Sequence, residues 1–367
     1  IRVSRTEHRK IRSMKSYQLV AANEPLELVE SDTPEPQGSE VLLRVTACGV
    51  CHSDLHFWHG YYDLGDGQKM TLEDRNIELP FTMGHEPVGE VVALGPDAGD
   101  DVQVGQTYLI FPWLGCGDCA RCNEGRENDC ANTAPLGVRR PGGYADHVVI
   151  PHSRYLVDIE GVDPHYACTL ACAGITSYSA IRKAKGISPD DKLVIIGAGG
   201  VGLTGVGIAA DYIANEMIVV DVDEEKLAAA REAGADHTIN PLREDARAEI
   251  AKLTTAGAGA VVDFVANTET ASLGIDCIRR GGSYIAVGLY GGRIDIPSLS
   301  LPTRDIALRG SYVGTLTEMH ELMALVKDGK VDPIPVAARP MSEVTETLQD
   351  LEAGRIIGRV VVVPEGA

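Results

Sequence analysis

Hydrophobic and polar positions give the chain two textures. Between about residues 17 and 151, short apolar runs at 41–46, 88–94 and 108–111 are separated by Gly, Pro and Asp clusters, which predicts an irregular, mostly β domain. From Lys192 the pattern changes. Residues 192–196 read as a continuous buried strand, a glycine loop follows, 201–212 reads as a helix, and 217–222 as another strand. That succession predicts a βαβ unit. A helix over 224–235 stopped by Gly234, then strands at 260–266 and 283–289, extend the alternation into a doubly wound parallel sheet. A helix at 316–327 and a terminal strand at 359–363 follow, and the strand needs the N-terminal sheet as its host. No internal repeat or low-complexity segment interrupts the chain.

The 367 residues suit two domains or slightly more. With 44% hydrophobic and 23% charged residues, wholesale disorder and fibrous architectures are excluded. The formal charge of −20 repels phosphate backbones and anionic lipid, so neither nucleic acid nor a membrane surface is expected as a partner. No stretch approaches the ~18 apolar residues of a membrane span. Residues 1–13 carry five Arg or Lys against one Glu and lack the apolar core of a secretory signal; Met14 is the expected natural start, with 1–13 a disordered leader or tag. The nine cysteines are odd in number and clustered, which points to metal or catalytic use in a reducing, cytoplasmic compartment.

The sequence Gly197-Ala198-Gly199-Gly200-Val201-Gly202 falls between a predicted strand and a predicted helix. Gly197 suits the tight turn, Gly199 lets backbone amides approach a pyrophosphate, and Gly202 permits close helix packing. Asp221, nineteen residues beyond Gly202, is placed to bind both ribose hydroxyls. Asp223, Glu224 and Glu225 crowd the same corner and oppose a 2′-phosphate, so NAD is expected rather than NADP.

Cys116, Cys119, Cys122 and Cys130 lie within fifteen residues, broken by glycines, and are able to wrap one tetrahedral ion. Zinc fits four thiolates, with an iron–sulfur cluster as the rival. Zinc is favoured because hydride chemistry in the neighbouring motifs needs no one-electron relay. With all four positions filled by protein, this ion is structural.

A second set, Cys51, His85 and Cys172, is a Cys2His arrangement of the type that leaves zinc an open position. The motifs around it are Val50-Cys51-His52-Ser53-Asp54, Gly84-His85-Glu86 and Cys172-Ala173-Gly174-Ile175-Thr176. On these motifs, the nucleotide loop and the four-cysteine lobe, residues 14–364 resemble the zinc-dependent medium-chain alcohol dehydrogenases of the yeast and thermophilic bacterial-archaeal type. The resemblance implies a GroES-like catalytic domain (14–172 plus 313–367) and a Rossmann NAD domain (173–312). It further implies a catalytic zinc on Cys51, His85 and Cys172 that serves as a Lewis acid, and a structural zinc, two per chain. Ser53 and a surface-near His56 are then the proton relay, Asp54 orients His85, and Glu86 is auxiliary. His52 matches a pyrophosphate contact, Thr176 and Val201 face nicotinamide, and Lys226 lies near the adenosine ribose.

Trp58 and Trp113 match positions that narrow the substrate channel in the yeast group. Residues 61–78 lengthen that pattern and are expected to form a lid or a subunit contact. Cys48 and Cys277 read as packing residues, and Cys168, one helical turn before Cys172, as a weaker competitor for the metal. The function implied is reversible NAD-linked oxidation of a primary or secondary alcohol, by a homodimer or homotetramer joined through the last Rossmann strand, expected at 307–313. A polyol-type zinc dehydrogenase is the alternative. A zinc-free reductase or non-catalytic scaffold is disfavoured by both metal sets, Ser53 and the acidic corner.

Overall fold

The structure, a computed structural model, describes residues 13–366. The expected leader at 1–13 therefore lies outside the described residues except for its last position. Strand Val41–Val50 is the spine of the first domain. It runs antiparallel to Glu86–Leu94, His147–Ile150 and the terminal strand Arg359–Val363, within a seven-stranded sheet. Val41, Leu43, Val45, Ala47 and Val50 are buried, as are Leu42 and Cys48, because both faces of this strand are covered. Helix Pro164–Thr169 packs against it.

The second domain is a six-stranded parallel sheet. Its order is His237–Ile239, Met217–Val220, Leu193–Ile196, Ala258–Asp263, Ile278–Ala286, Ala307–Gly310. In sequence order this is 3-2-1-4-5-6, the dinucleotide-binding topology, and its crevice opens where the order reverses, beyond Ile196 and Asp263.

Several strand ends differ from the sequence expectation, each for a local reason. The strand expected at 260–266 stops at Asp263, whose Oδ1 accepts from the Val265 and Ala266 amides and closes a turn. The strand expected at 283–289 runs from Ile278 to Ala286: Ile278 pairs with Ala258 and Ser283 with Ala260, and Arg279 to Gly282 bulge out of the ladder between those pairs. The edge strand ends at Gly310, and Val313 has a φ of 39° that extended backbone excludes. The helix expected over 224–235 ends at Glu232, with Gly234 in a positive-φ turn beyond it.

Residues 61–78 fold as a hairpin, Tyr61–Gly65 with Gln68–Thr71, followed by the short turn Glu73–Arg75. Its tip reaches the Rossmann domain, where Asp66 pairs with Arg293. No helix among the described residues is long and apolar enough to cross a membrane.

Candidate functional site

The spine strand ends at Val50 and delivers Cys51 to the N-cap of helix His52–His59. The Cys51 amide donates to Asp54 Oδ2 at 2.9 Å, and the other carboxylate oxygen lies 3.2 Å from His85 Nδ1. His85 follows Gly84, at φ 90°, where a Cβ would come within 2.8 Å of the Tyr144 nitrogen. Only glycine lets the chain turn there. Cys172 sits in a π-helical turn, Leu170–Gly174, an irregularity frequent at functional sites.

These elements bring Cys51, His85, Glu86 and Cys172 together, their donor atoms all within 4.8 Å of one another and all buried. Cys51 and Cys172 sulfurs are 3.9 Å apart. Tetrahedral zinc with Zn–S of about 2.3 Å spaces two thiolates by about 3.8 Å, whereas a disulfide needs about 2.05 Å. His85 Nε2 is buried without a partner, so the set leaves a lone pair aimed at nothing in the protein. The donors fit zinc. The Cys172 thiol, followed by the His85 ring, holds Cys51 well below the ordinary thiol range despite burial.

In the second set, Cys116, Cys119, Cys122 and Cys130 sulfurs lie 3.5, 3.6, 3.7 and 3.9 Å apart in the pairs that touch. The same spacing argument applies, and four protein donors close the coordination. Cys48 is buried in the spine strand; the Cys168 thiol is directed to the His165 carbonyl at 3.2 Å; Cys277 is packed away, burial pushing its thiol up to about 11.

At the nucleotide loop a Cβ on Gly202 would lie 1.9 Å from the Gly197 carbonyl oxygen, while the space over Gly199 is open. Asp221 Oδ2 accepts from the Ala198 amide at 2.7 Å and Oδ1 from the Asp223 amide at 3.0 Å. Asp223 in turn caps helix Glu224–Glu232, its carboxylate accepting from the Glu225 and Lys226 amides. The acidic corner is therefore ordered by its own backbone.

Between the domains lies a cleft open to solvent, with Cys51, His85 and Cys172 in its wall. His52, Ser53, His56, Trp113, Thr176 and Val201 also line it, and the Thr176 hydroxyl is buried without a partner. Trp58 departs from the expectation. It lies outside the lining residues, its indole donating to the Glu24 carbonyl at 2.8 Å, because it falls about 200° around the helix from His56. His56 also differs, since Tyr62 of the hairpin stacks on it at 4.5 Å and its Nε2 is shielded from solvent. Burial, then the neighbouring His52, pushes this imidazole down to about 4.

The chain matches the alcohol dehydrogenase GroES-like domain over residues 37–161 and the zinc-binding dehydrogenase family over 200–328. An NAD-dependent alcohol dehydrogenase of Saccharolobus solfataricus is 35% identical over 356 residues, 96% of this chain and 100% of that protein. This chain belongs to the zinc-type alcohol dehydrogenase family. An alcohol dehydrogenase of Geobacillus stearothermophilus is 33% identical, covering 92% of this chain and 95% of its own length. The crystal structure of the alcohol dehydrogenase from Aeropyrum pernix superposes with a TM-score of 0.87 at 31% identity, over 95% of this chain and 100% of that one.

Within this alcohol dehydrogenase fold, sequence reasoning passed over Tyr144, Arg359, Tyr62 and Arg75. Tyr144, in Gly-Gly-Tyr-Ala, donates to Asp54 Oδ2 at 2.8 Å. Arg359, the first residue of the terminal strand, is buried and pairs with Glu86. Burial pushes the Glu86 carboxyl up to about 7 against the pull of that guanidinium. Nothing in RVVVV signals this. Tyr62 and Arg75 enter the cleft from the hairpin, and only their place in an insertion beside the metal motif hinted at it.

Proposed function

We propose that this family member is a zinc-dependent, NAD-linked dehydrogenase that interconverts primary or secondary alcohols with aldehydes or ketones. One observation carries the reading: a buried Cys2His donor set, with an orphaned His85 Nε2, in the wall of a cleft lined also by Val201 of the dinucleotide loop. Zinc held by Cys51, His85 and Cys172 supplies Lewis acidity toward the substrate oxygen, and NAD supplies the hydride acceptor.

The chain's own groups do the rest. Asp54 accepts a hydrogen bond from the His85 Nδ1–H, which fixes the tautomer and leaves Nε2 free for the metal. Ser53, in the cleft wall, accepts the hydroxyl proton by hydrogen bond, with His56 as the next group in the relay. Thr176 and Val201 bound the nicotinamide side, Gly199 leaves room for the pyrophosphate with His52 above the cleft, and Asp221 holds the ribose with Lys226 beside it. The four-cysteine lobe holds a second, structural zinc. Residues 14–172 with 313–367 form the catalytic domain and 173–312 the cofactor domain, and two or four chains assemble through the edge strand Ala307–Gly310 in a reducing cytoplasm.

A D-arabinose 1-dehydrogenase using NADP, also from Saccharolobus solfataricus, is 32% identical over 93% of this chain. Asp221, Asp223, Glu224 and Glu225 argue for NAD here. The test is a rate screen of aliphatic, cyclic and aromatic alcohols and of polyols with each cofactor, beside zinc analysis. Loss of NAD reduction in Cys51→Ala or His85→Ala, with folding retained, supports the reading; full activity in either variant defeats it.

A further inference from the structure

The cleft wall is apolar and aromatic at Phe57, Tyr62, Trp113 and Phe264, and one member of it breaks the pattern. Arg75 is the sole Asp, Glu, Lys or Arg among the described residues that line the cleft. It is half-buried, and its guanidinium carbon lies 4.8 Å from the Tyr62 ring centre and 5.3 Å from that of Phe57. Both rings lie within cation–π reach of the guanidinium, and its interaction with the Tyr62 hydroxyl engages only part of its five N–H donors. No carboxylate pairs with it among the described residues. The nearest acid in sequence, Asp74, is turned back on the Thr71 amide and hydroxyl at 2.8 and 2.9 Å.

In a chain with 53 Asp and Glu against 33 Lys and Arg, a cation kept free of acid partners in the substrate cleft is a specific chemical feature. A neutral apolar substrate tail gains nothing from it and must lie against an incompletely solvated charge. A carboxylate matches the guanidinium fork with two charge-assisted hydrogen bonds. Building on the alcohol dehydrogenase reading above, we propose that Arg75 recognises a carboxylate on the substrate, and that the preferred substrates are alcohols carrying a carboxylate at the end remote from the reacting hydroxyl. The hairpin inserted at 61–78 is then the part of the fold that sets substrate class.

The test compares kcat/KM for para-(hydroxymethyl)benzoate with that for benzyl alcohol, and for ω-hydroxy acids with neutral alcohols of the same length, in the full-length zinc- and NAD-loaded enzyme. Wild type prefers the carboxylates, and in Arg75→Met the ratio falls by about tenfold, the scale of one charge-assisted pair in a half-exposed site. Arg75→Lys, which keeps the charge but loses the fork, retains an intermediate ratio. A ratio unchanged in Arg75→Met overturns the proposal and leaves Arg75 as an aromatic staple of the hairpin. A raised KM for NAD with the ratio intact reassigns the residue to the cofactor and also overturns it. If wild type oxidises no alcohol, the activity reading has failed, and calorimetric titration with benzoate against benzamide decides separately: benzoate binding that is lost in Arg75→Met supports the carboxylate site, and equal binding by the variant refutes it.

Discussion

Tyr144 donates its hydroxyl hydrogen to Asp54 Oδ2 at 2.8 Å, and both side chains are fully buried. The same oxygen accepts the Cys51 amide, so the carboxylate that faces His85 is held from two sides. Replacing Asp54 by Asn is expected to weaken the catalytic metal by about 10–100-fold, the usual effect of losing a group that orients a ligating histidine. Tyr144→Phe, which spares the carboxylate, has a smaller effect in the same direction. Zinc transfer to a chromogenic chelator measures both, and transfer at the wild-type rate in Asp54→Asn contradicts the assignment.

The four-cysteine lobe is separable from the catalytic set. A Cys122→Ser/Cys130→Ser variant is expected to lose about one of two zinc ions per chain while keeping the ion on the Cys2His set, with faster proteolysis confined to the lobe at 115–131. Metal analysis with a mapped limited digest checks this. Iron in place of zinc, with a visible charge-transfer band, points to the rival cluster instead.

Asp221 links the nucleotide loop to the acidic corner through the Ala198 and Asp223 amides. Asp221→Ser is expected to raise KM for NAD by about tenfold or more, from the loss of hydrogen bonds to a charged acceptor, and to narrow the margin between NAD and NADP. Steady-state kinetics with each cofactor reports the outcome. An unaltered KM for NAD removes Asp221 from the cofactor site.

Arg279 clasps Asp191 with two bonds of 2.7 Å, tying the turn before the central Rossmann strand to the strand beginning at Ile278. The guanidinium holds the Asp191 carboxyl below its ordinary range. A depressed carboxylate adds stability above its unfolded pKa of about 3.9 and loses it as pH falls through the folded value. Asp191→Asn is expected to cost about 1–2 kcal/mol near neutrality, between an exposed pair and a buried charged bond. Thermal melts at descending pH should show the gap between variant and wild type closing in acid, and a constant gap argues that the pair is not its source.

The parts legible in sequence were those in which chemistry and spacing are local. The glycine loop with Asp221, the four-cysteine run and the strand texture of 192–222 each occupy a short window, and the structure places them in one parallel sheet and one lobe. The parts that were not legible depend on direction or distance. Trp58 shares a helix with Ser53 and His56 but faces Glu24, a rotation that its spacing fixes only once residues 52–59 are known to be helical, which the metal-motif residues do not signal. Arg359 meets Glu86 across 273 positions, which no local pattern records. The strand's start at Ile278 was not legible because residues 279–282 bulge between the pairs Ala258/Ile278 and Ala260/Ser283, so no strand alternation runs through them.

The terminal strand has a consequence for how the enzyme is made. Val360, Val361 and Val362 pair with Val50, Gly49 and Cys48, the residues that lead directly into Cys51. The strand that leads into Cys51 therefore gains this partner only once residues 360–362 have been made, whereas the four cysteines of the lobe all lie within residues 116–130. A chain cut back before Arg359 would keep the four donors of the lobe together while leaving one edge of the strand that leads into Cys51 unpaired.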